Sequence, residues 1–256
     1  MASPDAAYGH CEALLRAEGQ TRPPVRAQYL ASLYAPPSAR RHLQALAAFW
    51  QEIAGISAKI SNVMAGEIRL QYWLELLAKG ADAAGNPLGE AILATIAQMH
   101  LPKSAFTDMI EARIGDLYDD PMPDLAALEH YCGAIYGAQV RLNTLILAGG
   151  GRDPGGAAAC GHAGMALGLT EIIQQMPANA ALSAKMAPVA GDDPAKLRRL
   201  ALEHLHAALA ASRALPTPLA VAFLPLALVA PRVTRPIGDI SPLRQQWCIW
   251  RAAARL

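Results

Sequence analysis

Apolar residues recur along most of this chain at intervals of three and four, the spacing that places them on one side of an α-helix. The clearest run covers residues 39–62, where Leu43, Leu46, Trp50, Ile53, Ile56 and Ile60 form a single stripe. Ala and Leu dominate and β-branched runs are scarce, which favours helix over strand. Helices are predicted over residues 66–79, 88–100, 104–119, 124–147, 157–176, 193–215 and 242–256. Turn residues punctuate them: GADAAGNP at 80–87 and GGGRDPGG at 149–156 read as interhelical loops. Asp124 follows two prolines and is placed to cap the next helix, and Asp193 before Pro194 reads as a cap with a first-turn proline. Residues 177–192 read as a loose stretch. The most apolar run, PLAVAFLPLALVAP at 218–231, is shorter than the ~20 residues a bilayer span needs. Pro225 interrupts it, and it reads as a buried core helix. No βαβ alternation and no internal repeat occurs, so one all-α domain is the economical reading.

Composition narrows the function classes. The chain has 256 residues, 53% of them hydrophobic and 17% charged, enough to bury a sizeable core and too apolar for a disordered chain. With 22 Lys+Arg against 21 Asp+Glu it lacks the basic excess of a nucleic-acid binder. The four cysteines, Cys11, Cys132, Cys160 and Cys248, show no CxxC pattern and suggest neither a disulfide framework nor a zinc site. A reducing, cytoplasmic location follows, with no secretory signal in the first ten residues. The apolar composition leaves room for peripheral membrane contact.

Few motifs offer chemistry. The glycines of 149–156 follow no strand and lack a Gly-Lys-Ser/Thr ending, so they do not make a phosphate cradle. His204 and His206 are two apart and face different sides of a helix, unlike the i, i+4 pairs that bind metal. Cys160 and His162 are a weak pair, read as structural. The densest acidic group is Asp116, Asp119 and Asp120. Asp116 and Asp120 share a face if their helix continues that far, and two carboxylates so placed can hold Mg²⁺.

Three stretches together resemble the squalene/phytoene synthase family: residues 29–73, which include GEIRLQYW, residues 112–137, ARIGDLYDDPMPDLAALEHYCGAIYG, and residues 164–176, GMALGLTEIIQQM. They stand in the family's order. The C-terminal AFLPLALV and SPLRQQWCIWRAA resemble a sub-branch of bacterial relatives of a mitochondrial complex I assembly factor. The resemblance implies an all-α, single-domain isoprenoid-synthase-type helical bundle around a central apolar cavity. That domain would span residues 1–256, with 1–22 as a loose N-terminal extension and 177–193 as a loop.

Enzymes of the family couple prenyl diphosphates and hold Mg²⁺ on two aspartate-rich helical faces, because the departing diphosphate concentrates negative charge. The first motif resembles Arg-x-x-Asp-Asp-x-x-x-Asp or close to it. Here Gln51, Ala54, Gly55 and Ala58 occupy its positions, with Glu52 beside them. The second resembles Asn-Ile-Leu-Arg-Asp-x-x-x-Asp, and Glu171, Ile172, Ile173, Gln174, Gln175 and Asn179 stand there. Asp116 matches an acidic family position in the middle helix, and Asp116 and Asp120 are candidate polar pocket residues. The resemblance therefore implies a family scaffold without confident catalytic residues, without a metal site and without a cofactor. Its ligand would be an isoprenoid or other lipid, or its partners respiratory-complex subunits, and it would sit in the cytoplasm or at the inner membrane surface, with no nucleic acid partner. The alternative is an active head-to-head prenyl transferase with a non-standard Mg²⁺ site rebuilt from Glu52, Glu171, Asp116 and Asp120.

Overall fold

The computed structural model describes residues 4–59, 62–80, 85–191, 193, 195–234 and 240–256, with the side chains of Pro4 and Ala58 left out. Among them every regular element is helical: α1 (Pro4–Glu18), α2 (Pro23–Ser32), α3 (Pro37–Lys59), α4 (Val63–Lys79), α5 (Pro87–Gln98), α6 (Lys103–Ile114), α7 (Leu125–Cys132), α8 (Ala138–Leu147), α9 (Ala157–Gln175), α10 (Ala180–Ala190), α11 (Lys196–Ser212), α12 (Val229–Val233) and α13 (Pro242–Ala253). They group into two compact units, Met1–Tyr118 with Leu142–Pro154, and Asp119–Arg141 with Gly155–Leu256.

In the first unit the stripe on α3 is buried as its spacing predicts. Leu43, Leu46, Trp50, Ile53 and Ile56 point inward, and Ile60 lies outside the described residues. Phe49 of α3 is the hub of an aromatic cluster, with ring centroids 5.2 Å from Trp73 of α4 and 5.6 Å from Phe106 of α6. Such tilted and edge-on pairs add about 0.5–1.5 kcal/mol each beyond their buried area. Local caps fix the ends. Asn62 accepts from the Met64 amide at 2.9 Å, Asn86 from Gly89 at 3.0 Å, and Gly80 closes α4 at φ 71°. The glycine loop is a turn, as expected. A Cβ on Gly150 would collide with the Met99 backbone, whose carbonyl accepts from the Gly151 amide at 3.1 Å.

The N-terminal 22 residues differ from their expectation as a loose extension. Residues 4–18 form α1, which buries Ala7, Tyr8, Cys11 and Leu15 against α3 and α5. The 7-11-15 spacing is an ordinary helical stripe, short enough to be overlooked beside the longer run on α3.

In the second unit α9 is central and packs on α7, α11 and α12. Two of its glycines allow close approach to the neighbouring segment. A Cβ on Gly164 would run into the Gly137 backbone, and one on Gly168 would lie 2.7 Å from Cys132 Sγ. The helix predicted over 124–147 begins as expected, with Asp124 accepting from the Ala127 amide at 2.8 Å, but a π-helical turn at Gly133–Gly137 divides it into α7 and α8. The loop expected over 177–193 is largely helix α10. Asn179 starts it by accepting from the Leu182 amide at 3.0 Å, and Met122 donates to the Lys185 carbonyl at 2.8 Å. Pro188 within α10 disguises it in the sequence.

The helix predicted from Asp193 begins at Lys196. Asp193 caps from outside, accepting from the Ala195 amide at 2.9 Å and pairing with Arg199 at 2.7 Å, and Pro194 lies outside the described residues. The apolar run 218–231 is buried, but as a 3₁₀ helix over Thr217–Leu228 followed by α12. Pro218 and Pro225 lack the amide hydrogens that a continuous α-helix would use. No helix among the described residues is long and apolar enough to cross a membrane. Cys11, Cys132 and Cys160 are buried, and Cys248 on α13 is partly exposed.

Candidate functional site

The positions that match the first motif lie on α3. Gln51, Gly55 and Lys59 follow one another at i, i+4 and i+8 and so share a face. In the amide orientation that satisfies both side chains, the Gln51 oxygen accepts from the Arg22 guanidinium. Arg22 also pairs with Glu18 at 3.3 Å. Gly55 is buried, and a Cβ added there would sit 3.4 Å from the Lys59 ammonium. Glu52 faces that same ammonium at 3.9 Å. Ala54 is half-buried and Ala58 is helical, its side chain outside the described residues. This face carries an amide, small residues and the cations Arg22 and Lys59, which face Glu18 and Glu52 in turn.

Asp116 and Asp120 do not share a helical face. α6 ends at Ile114, a 3₁₀ turn spans Gly115–Leu117, and Tyr118 is extended. Asp116 pairs with Arg113 at 2.8 Å, both side chains being largely buried. Asp120 belongs to the second unit and is exposed. The α-helix gives way to the 3₁₀ turn at Gly115, and the i, i+4 relation is lost with it.

The second-motif positions lie at the end of α9. Glu171 is buried and both its oxygens face the guanidinium of Arg232 from α12, Oε1 meeting Nη1 and Oε2 accepting from Nη2 at 3.4 Å. Gln174 donates to the Arg232 backbone carbonyl at 2.8 Å. Gln175 is the exposed last residue of α9, and Asn179 is spent on capping α10. A buried carboxylate is costly unless it is neutralised, and the two-pronged guanidinium does that here.

Two histidine clusters escaped the sequence reading. Buried His42 sits between Tyr8 and Thr95, its Nδ1 3.2 Å from the Tyr8 hydroxyl and 3.0 Å from Thr95 Oγ1. Arg41 Nε donates to its Nε2 at 3.4 Å, so the neutral ring carries its proton on Nδ1. Burial, helped by the Arg41 charge, holds the His42 pKa down to about 4. In the second unit His162 and His204 approach with Nδ1 atoms 3.0 Å apart. Burial first, and His162 second, lower the His204 pKa. The reading that His204 merely faces away from His206 missed this partner on another helix. Arg232 was missed as well. Its signal was a lone cation in an apolar stretch, which requires a buried counter-charge.

Glu52 faces Lys59, Asp116 pairs with Arg113, and Glu171 pairs with Arg232. Among the described residues no three His, Cys, Asp or Glu side chains are grouped to hold a metal ion.

The comparisons with known proteins agree on the family and the fold. The squalene/phytoene synthase family model matches residues 22–188. A solved dehydrosqualene synthase in complex with ligand superposes with a TM-score of 0.75 at 14% identity, covering 98% of this chain and 97% of that one. The squalene synthase HpnC from Alicyclobacillus acidocaldarius superposes with a TM-score of 0.71 at 18% identity, covering 100% and 96%. The all-helical fold is therefore that of isoprenoid synthases. No curated protein sequence matches the chain.

Proposed function

The chain belongs to the squalene/phytoene synthase family, and we propose that it works there without prenyl transfer, as an accessory protein that holds an isoprenoid or other lipid or serves respiratory-complex assembly. The observation that carries this reading is Glu171. It is the one acid left in the second motif, and Arg232 neutralises it in a buried pair. Ionising an allylic diphosphate needs several positive charges held against the leaving group, and carboxylates already paired with arginine and lysine are poor anchors for them. The assembly role, with complex I as the respiratory complex, rests on the resemblance of the C-terminal segment, and a cytoplasmic site at the inner membrane surface goes with it.

The test is to incubate the purified protein with farnesyl or geranylgeranyl diphosphate and Mg²⁺ and to follow pyrophosphate. The expected result is no release above a heat-treated control. Metal-dependent release that Glu171→Gln or Asp116→Ala abolishes would establish the prenyl transferase instead. Lipid extraction followed by mass spectrometry checks the ligand, and respiratory NADH oxidation in a deletion strain checks the assembly role. Unchanged oxidation would remove the latter.

A further inference from the structure

The outer side of α13 presents an apolar stripe to solvent. Leu243, Trp247 and Trp250 are 79%, 55% and 49% exposed, and they follow one another at helical spacings of four and three. The two indoles lean together with centroids 4.9 Å apart, so they form one continuous patch. The opposite side is committed to the protein. Gln245 and Ile249 are buried where α13 packs on the 3₁₀ segment, and Gln245 Nε2 donates to the Ile240 carbonyl at 2.8 Å.

Charge is distributed unevenly about this stripe. Residues 241–256 include Arg244, Arg251 and Arg255 and no acid. At about 100° per residue Arg244 and Arg251 fall together on one flank of the stripe, and Arg255 stands in the turn just after the helix. All three are exposed, and none makes an ion pair among the described residues. Tryptophan prefers the boundary between headgroups and acyl chains, and arginine beside it meets lipid phosphates while its stem lies along apolar surface.

A second exposed stripe, on α4, shows the contrast. Met64, Ile68 and Tyr72 are exposed there, but the line continues through Glu75, which pairs with Lys79 at 3.1 Å, and Glu67 stands beside it. The two acids and two bases of α4 balance, so this stripe has no cationic flank to draw it to an anionic leaflet.

We propose that the Leu243–Trp247–Trp250 face of α13, with its arginine flank, is a docking surface for an anionic lipid bilayer, which α13 meets lying in the plane of the interface. The indoles and Leu243 enter the headgroup boundary, and Arg244, Arg251 and Arg255 face lipid phosphates. This inference does not rest on the absence of prenyl transfer and holds for either catalytic outcome.

The experiment is flotation of the full chain with vesicles of equimolar phosphatidylcholine and phosphatidylglycerol, beside vesicles of phosphatidylcholine alone. The protein should float with the anionic vesicles, and high salt should weaken that binding. The double variant Trp247→Ala, Trp250→Ala should reduce partitioning at least tenfold with helicity unchanged. The triple variant Arg244→Gln, Arg251→Gln, Arg255→Gln, which touches no buried side chain, should abolish the preference for anionic lipid. The proposal is overturned if the wild type stays with the unbound fraction, if it floats equally with neutral vesicles, or if the arginine variant floats as the wild type does. Self-association that the tryptophan variant abolishes, without vesicle binding, would make this face a contact between copies and would also overturn it.

Discussion

Single residues carry the buried charge of this chain. Glu171 and Arg232 neutralise each other in a buried pair. Arg232→Leu strands a carboxylate without its counter-charge and should destabilise the protein by about 3–5 kcal/mol in urea unfolding, whereas Glu171→Leu with Arg232→Leu should recover most of that loss. His42 makes a pH prediction. Its folded-state pKa of about 4 lies below the ordinary 6.5. Between those values the unfolded chain binds a proton that the folded chain refuses. Stability is therefore complete above pH 6.5 and falls as the pH drops toward 4, by about 3 kcal/mol from this group. His204 acts in the same direction. Unfolding free energy measured against pH should show this slope, and His42→Gln should flatten it in part. The proposed loss of the family's aspartates is a matter of residue identity at the matched positions, Ala54 and Gln175 among them, and needs only the sequence. The commitment of Glu171 is not legible there, because its partner stands 61 residues away on an element whose position no spacing reveals.

At the scale of the element, α9 shows how much depends on missing side chains. Gly164→Ala places a methyl group into the Gly137 backbone and should cost about 1–3 kcal/mol through overpacking. Gly161 lies on the same helix with open space around it, so Gly161→Ala should instead stabilise by about 0.5–1 kcal/mol. Thermal unfolding of the two variants gives opposite shifts if the close approach is correctly placed. Periodicity located α3, α4, α5 and α9 well, since each carries a clear apolar stripe or a strong stop signal. It failed at α10, where Pro188 masked a short helix, and at Thr217–Leu228, where every face is apolar and no stripe exists to count. The i, i+4 argument for Asp116 and Asp120 failed for a related reason. It assumed a helix reaching 119, whereas α6 ends at Ile114, five residues earlier.

At the scale of the molecule, the chain passes between its two compact units at 118–119, 141–142 and 154–155. Helix α8 begins in one and ends in the other, giving Leu142, Leu145 and Ile146 to the core of the first. A fragment of residues 1–118 lacks those three and should show little cooperative unfolding by circular dichroism. Periodicity reports which face of a helix is buried but not against which neighbour, so this grouping left no mark in the sequence. The burial of three of the four cysteines has a practical consequence. Burial pushes the Cys11 thiol up to about 12, so little of it is thiolate near neutrality. A maleimide added to the native protein should therefore attach first at Cys248, with the remaining thiols reacting only as the helices around them open. The chain carries its own clock for local opening, and a reporter dye attached at Cys248 rides on α13 itself.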